Sequence, residues 1–194
     1  MSLQRFRCDQ LPVTPWKNGG GSTREIVCRP EGAGMAGFDW RISIATIAQA
    51  GPFSAFPGVD RVIMLLDGGG VQLRSDTGID YRLDQPLVPF AFSGDVALDC
   101  KLLDGTSTDF NVMTRRGSLR AQVQVLRAAV DIPAAQRGLL LALHGDWQLR
   151  AGDAAEFCAA GQGLWWDAAP HGWNATPQGA NAALVWVRLD TAGV

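Results

Sequence analysis

Short strand-like segments follow one another along the whole chain, and helical periodicity is weak throughout. Trp40 to Thr46 alternates, with Trp40, Ile42 and Ile44 on one face and Arg41, Ser43 and Ala45 on the other. Arg61 to Leu66 is almost continuously apolar, the pattern of a strand covered on both faces. Further strands are predicted at Val71–Arg74, Tyr81–Leu83, Val96–Leu103, Phe110–Thr114, Arg120–Leu126 and Gly138–His144. The same holds for Trp147–Arg150, Ala155–Phe157, Gly163–Trp166 and Ala183–Leu189. Ala134 to Arg137 is too brief for a helix, and Ser54 to Phe56 is at most a turn. Gly, Pro, Asp and Asn separate the segments at short intervals, which predicts an all-β sandwich or barrel.

A weak internal echo refines this. Leu65-Leu66-Asp67-Gly68-Gly69-Gly70-Val71-Gln72-Leu73-Arg74 resembles Ala142-Leu143-His144-Gly145-Asp146-Trp147-Gln148-Leu149-Arg150. Each is an apolar strand, a glycine turn and a strand ending Gln-Leu-Arg. The echo favours two related β-barrels divided near Ser118 to Pro133, with jelly-roll barrels of the cupin type as the natural candidate.

Composition narrows the function classes. A chain of 194 residues with 47% hydrophobic and 19% charged residues is globular, with a substantial core. Seventeen basic against nineteen acidic residues give a net charge of −2, and no Lys/Arg block marks a nucleic-acid footprint. Lysine occurs only at Lys17 and Lys101, so the basic residues are almost all arginine, the side chain suited to bidentate carboxylate recognition. Cys8, Cys28, Cys100 and Cys158 lie scattered with no C-x-x-C pair, the usage of reduced thiols. The N-terminus lacks the apolar core of a signal peptide, and no run of about 18 apolar residues spans a bilayer. A soluble, cytoplasmic protein is expected.

Pro15-Trp16-Lys17-Asn18-Gly19-Gly20-Gly21-Ser22-Thr23-Arg24-Glu25 concentrates glycines beside groups that stack, donate and carry charge. It is no phosphate cradle: Lys17 precedes the glycines, and a β-like run from Thr23 to Cys28 follows where a helix is needed. A dinucleotide fingerprint fails for want of a preceding strand and following helix. A ligand-facing loop and a surface hairpin with glycines at positive φ both fit.

Catalytic machinery is sparse. His144 and His171 are the only histidines, and neither has a histidine two to four residues away, so no metal or other cofactor is expected. His144 is placed at a strand end and His171 in a loop. A general base in the first half would have to be Glu25, Asp39, Asp60 or Asp109. No Gly-x-Ser-x-Gly elbow is present, and Trp165, Trp166 and Trp173 read as core. No catalytic residue is assigned. An arginine and amide constellation is left: Arg41 with Ser43, Arg61 at the head of the most apolar strand, and Asn111 opposite Phe110 and Val112. A charge entering a buried sheet is costly unless paired. Arg41 and Arg61 therefore either recognise a ligand or pair with Asp39, Asp60 or Asp109 to pin the fold.

The glycine-rich segment, Trp40-Arg41-Ile42-Ser43-Ile44-Ala45, Gly51-Pro52-Phe53-Ser54-Ala55-Phe56-Pro57-Gly58-Val59-Asp60-Arg61 and Asp109-Phe110-Asn111-Val112-Met113 together resemble the HutD/Ves family. Order and spacing agree over residues 1 to about 117. Beyond them the likeness is one of length and strand pattern. The resemblance implies an all-β bicupin, two jelly-roll (double-stranded β-helix) barrels in one chain. Residues 1–117 would form the barrel carrying the signature and 118–194 a cupin-like barrel, with strand exchange between the halves allowed. It further implies a non-catalytic protein of bacterial histidine utilisation that binds N-formylglutamate or a related small acid and moderates the pathway. Arg61 and Arg41 would then hold acid groups, and Ser43 and Asn111 would supply neutral hydrogen bonds. Trp16, Lys17 and Asn18 would close the loop, with Arg24 and Glu25 opening the next strand. The alternative is a metal-free cupin enzyme, an isomerase or hydrolase of a small acid, using Glu25 or Asp109 as base. The expected partner is a small carboxylate, with neither nucleic acid nor membrane, and a homodimer stays open.

Overall fold

The computed structural model describes residues 3–193. The chain is nearly all β, and it divides into two compact units. Residues 12–120 with 192–193 form the N-terminal unit, and residues 121–191 with 3–11 form the C-terminal unit. The opening strand β1 (Gln4–Arg7) belongs to the C-terminal unit, because its backbone pairs with a strand at 162–166. In this the division differs from one at 117 that keeps the N-terminus with the first half.

In the N-terminal unit β2 (Val13–Pro15), β3 (Gly21–Arg29), β4 (Trp40–Ile47), β5 (Gly51–Phe53) and β6 (Val59–Gly68) come first. They are followed by β7 (Val71–Arg74), β8 (Asp80–Leu83), β9 (Phe90–Ser93), β10 (Leu98–Leu102) and β11 (Ser107–Arg115). Six strands make one sheet in the order β2-β3-β4-β11-β6-β9, and four make a second in the order β5-β10-β7-β8. Ile47, Ile63, Leu65 and Phe92 of the first sheet pack with Val71, Leu73, Leu83, Leu98 and Cys100 of the second. That shared core defines the inner face of each sheet.

The C-terminal unit adds β12 (Leu119–Leu126, entering the unit at Ala121), β13 (Val130–Ala135), β14 (Arg137–His144), β15 (Trp147–Ala151) and β16 (Ala154–Cys158). It ends with β17 (Gln162–Trp166), β18 (His171–Pro177) and β19 (Ala183–Thr191). Its sheets run β1-β17-β14-β19-β12 and β13-β18-β15-β16. The order β4-β11-β6-β9 of the N-terminal unit recurs as β12-β19-β14-β17, and β5-β10-β7-β8 recurs as β13-β18-β15-β16. Strands β2 and β3 on one sheet and β1 on the other are additions to this common arrangement. The internal echo is thus the β6–β7 connection repeated as β14–β15. Among the described residues the sheets are open; none closes on itself into a barrel.

Core chemistry follows the inner faces. Trp147, Trp166 and Trp173 pack with Leu140, Leu149, Leu164 and Leu184 in the C-terminal unit, and the Trp166 indole N–H donates to the Ala135 carbonyl at 2.8 Å. His171 opens β18 instead of lying in a loop, since Pro170 ends a turn and the chain then pairs with β13. Cys28, Cys100 and Cys158 are free thiols. No helix among the described residues is long and apolar enough to cross a membrane.

Candidate functional site

Residues directly opposite one another on adjacent strands share a face, so the pairing of the six-stranded sheet can be followed rung by rung. One rung carries Arg41, Met113, Arg61 and Phe92. The next carries Glu25, Ser43, Asn111, Ile63 and Phe90, and the third Thr23, Ala45, Asp109 and Leu65. Ile63, Leu65 and Phe92 belong to the inter-sheet core, so all three rungs face inward. Alternation therefore does as expected for β4 and β11, with Arg41 and Ser43 opposite Trp40, Ile42 and Ile44, and Asn111 opposite Phe110 and Val112. Both faces of β4 are buried, however, and the polar face is the one that looks into the unit.

The two arginine heads lean onto the second rung. Arg41 donates from Nε to Glu25 Oε2 at 2.7 Å and from Nη1 to Ser43 Oγ at 3.3 Å. Arg61 donates from Nη2 to Asn111 Oδ1 at 3.0 Å and from Nη1 to the Ser54 carbonyl at 3.4 Å. Its guanidinium carbon lies 5.0, 5.4 and 5.7 Å from the ring centroids of Phe92, Phe56 and Phe53. A cation–π arrangement holds the charge without neutralising it. Arg61 is 8% exposed, and its Nε has no hydrogen-bond partner. Burial, and then repulsion from Arg41, push its pKa down to about 10.

Ion pairing by Asp39, Asp60 or Asp109 is not what fixes these arginines. Glu25 takes Arg41, and Asp60 pairs with Arg116, which also holds Asp95. Asp109 instead accepts from Ser107 Oγ at 3.3 Å within the interior, where burial raises its pKa to about 7. The site has two buried cations and one carboxylate, whose side chain is 48% exposed.

The glycine loop folds on itself. The Trp16 and Gly19 amides donate to the carbonyls of Gly21 and Trp16, and Asn18 Oδ1 accepts from the Gly20 amide at 3.0 Å. Gly19 takes φ +71°, a left-handed conformation that favours glycine. At Gly21 a Cβ would collide with the Thr46 carbonyl and press on the Trp16 ring. Trp16 packs against the inter-sheet core and donates from Nε1 to Thr23 Oγ1 at 2.8 Å. Lys17 and Asn18 stand exposed in the turn. Arg24 pairs with Ile44 and so lies on the face away from Glu25.

The structure thus brings Arg41, Arg61, Ser43, Asn111 and Glu25 together, places Trp16 at the core beside Thr23, and leaves Lys17, Asn18 and Arg24 apart. Sequence reasoning missed the phenylalanine cage around Arg61, although the Phe-Ala-Phe alternation of β9 carries its signal. His144 ends β14 and His171 stacks on Trp173 at 6.1 Å, both in the C-terminal unit. Among the described residues no three His, Cys, Asp or Glu side chains are grouped to hold a metal.

The fold recurs in known proteins. Protein Ves of Cronobacter sakazakii is 39% identical over 170 residues, 87% of this chain and 90% of that protein. A conserved protein of unknown function from Pseudomonas aeruginosa superposes with a TM-score of 0.87 at 34% identity, over 99% of this chain and 100% of that one. HutD from Pseudomonas fluorescens SBW25 (formate condition) gives 0.84 at 31% identity with the same coverage. A cupin 2 conserved barrel domain protein from Leptotrichia buccalis, 10% identical over 96% of each chain with a TM-score of 0.60, shares the fold alone. The HutD family model matches residues 9–185, and the chain belongs to the HutD family.

Proposed function

We propose that this protein is a non-catalytic, small-carboxylate-binding member of the family, whose N-terminal unit holds an acid between Arg41 and Arg61. N-formylglutamate or a related acid is the ligand, and the protein moderates histidine utilisation from the cytoplasm. The two units are taken as a bicupin, each a jelly roll built on the recurrent four-plus-four strand order.

The observation that carries the reading is Arg61. A cation this deeply buried, partnered by an amide oxygen, a carbonyl and three aromatic rings but no carboxylate, is electrostatically incomplete. A ligand carboxylate would supply the missing counter-charge, through charge-assisted bonds worth about 1.5–3 kcal/mol each. Calorimetric titration of N-formylglutamate tests this. Binding to the wild type and a loss of at least about tenfold in Arg61→Ala are expected. Equal affinity in the two proteins sinks the assignment.

A second reading, an acid–base enzyme acting on a small acid, draws on Asp109, whose pKa of about 7 suits proton transfer at neutral pH. Formate release from N-formylglutamate in the presence of the protein would decide for it.

A further inference from the structure

Beyond the arginines, the inner face of β11 continues into the unit as Asn111, Asp109 and Ser107, all buried. Three polar side chains in succession on the inward face of a central strand are expensive unless each is used. Ser107 is used by Asp109, and Asn111 by Arg61. Asp109 is fully buried, its Oδ1 accepts from Ser107, and its Oδ2 has no partner. It forms no ion pair among the described residues. Its neighbours on the rung are the small Ala45, with Thr23 beyond it, and Leu65.

The groups facing it from each packed element leave it without a counter-charge. Strand β10 offers Cys100, a thiol that burial and then Asp109 push up to about 12. Its rung neighbour Leu65 packs in the inter-sheet core with Val71 and Leu73 of β7 and with Trp16 of the loop before β3. Along the sheet, Glu25 of β3 stands one rung away, and Arg41 of β4 and Arg61 of β6 stand two. A carboxyl in this setting keeps its proton to about neutral pH, and its hydroxyl is then a donor. Alternate residues on a strand are about 7 Å apart, so this donor lies one short ligand length beyond the Asn111 rung where the arginine heads converge.

We propose that Asp109 is the specificity-determining residue of the acid site: as a carboxylic acid it donates a hydrogen bond from Oδ2 to an uncharged oxygen of a ligand whose carboxylate is held by Arg41 and Arg61. The proposal rests on the carboxylate-binding reading above. It assigns the ligand class as acids bearing a carbonyl acceptor several bonds from the carboxylate, such as N-acyl or keto acids, in preference to plain dicarboxylates. A site that reads an acceptor in this way favours the ligand that brings one, because Oδ2 is otherwise left buried and unpaired.

Calorimetry on the full chain at pH 7.5 compares N-formylglutamate with glutarate, which has the same carboxylate spacing and no formamido group. The wild type is expected to favour N-formylglutamate by about tenfold. Repeating the titration in buffers of different ionisation enthalpy is expected to show proton uptake with that ligand. Asp109→Leu should abolish the preference, with N-formylglutamate affinity falling by about tenfold. Asp109→Asn, which keeps a donor and cannot titrate, should retain the preference and lose the proton uptake. A wild type with no preference, or a leucine variant that keeps it, overturns the role of Asp109 while the arginine site stands. Failure of both acids to bind the wild type overturns the acid site itself, and this proposal with it.

Discussion

The two units place opposite chemistry at matching positions of one strand arrangement. The match is anchored by an irregularity common to both: Leu66 is passed over between the pairs Leu65–Asp109 and Asp67–Thr108, as Leu143 is between Ala142–Leu184 and His144–Ala183. Counting back from that bulge, Arg61 corresponds to Gly138, Phe92 to Trp166, Asn111 to Trp186 and Asp109 to Leu184. Where the N-terminal unit turns a guanidinium, an amide and a carboxyl inward, the C-terminal unit has indoles and a leucine. Gly138 has no side chain because a Cβ there would stand 2.5 Å from the Trp166 ring, which fills the room that Arg61 occupies in the other unit. One interior is lined by apolar and aromatic side chains. The other holds buried charged and polar groups, and the proposed acid site rests on that contrast.

The largest expected effect comes from forcing the exchange. Gly138→Arg would drive a cation into the Trp166 ring and the Val187 carbonyl, with no counterpart of Asn111 to accept from it. Overpacking and an unpaired buried charge together should cost more than about 3 kcal/mol in urea unfolding. A variant as stable as the wild type would show that the two interiors are interchangeable and that the contrast has no functional content.

The reverse exchange should stabilise. The unfolded chain releases the Asp109 proton near 3.8, whereas the folded chain holds it to about 7. Between those values the folded state carries the extra proton, so wild-type stability falls as the pH rises through the window and is level above it. The interval corresponds to roughly 4 kcal/mol. Asp109→Leu, which installs the residue found at Leu184, is therefore expected to be more stable than the wild type at pH 8 by up to that amount, and the gain should disappear by pH 4. A pH-independent difference would mean that the Asp109 carboxyl is already compensated in the fold.

Much of this contrast is legible in the sequence, and the part that is not has physical causes. Strict alternation in Trp40–Thr46 and around Asn111 shows which residues share a face, and the register agrees. It does not show which face is inside, because β4 is buried on both, and an apolar face beside a face with Arg41 suggests the wrong polarity. Strands β2, β5 and β13 escape a strand reading because each contains a proline, at Pro15, Pro52 and Pro133. All three lie at sheet edges, where a missing N–H is tolerated. Strand β18 is hidden behind Pro170, which makes His171 look like a loop residue. Asp109 is visible as a carboxylate in a strand, but its isolation from Arg41 and Arg61 depends on a two-rung offset that only the register supplies.

Strand β3 has no counterpart in the sheet that carries Trp186, and it brings Glu25 to the site. Glu25 is half exposed, so its pair with Arg41 contributes about 1 kcal/mol or less to stability. As the carboxylate already on Arg41, however, it would compete with an acid in the proposed site. Glu25→Gln keeps a hydrogen-bond acceptor and removes the charge. Calorimetry should show acid binding tightened by about threefold to tenfold, with unfolding free energy changed by less than about 1 kcal/mol. Weaker binding would mean that Glu25 serves to orient Arg41 and that the added strand is part of the recognition surface.

The smallest effect is expected in the loop that the sequence makes most conspicuous. Its glycines answer to local geometry: a left-handed turn at Gly19, and the close approach of Thr46 and the Trp16 ring at Gly21. Asn18 is occupied by the Gly20 amide, and Lys17 stands exposed on the turn, away from the rungs that hold Arg41 and Arg61. An exposed lysine of this kind acts on a buried ligand only through a screened field. Lys17→Ala should therefore change stability by no more than about 0.5 kcal/mol, and acid affinity by less than about twofold at 0.15 M salt. A loss of tenfold or more in the same titration would place the lysine over the bound acid, and would make the loop a closing element that has no equivalent in the C-terminal unit.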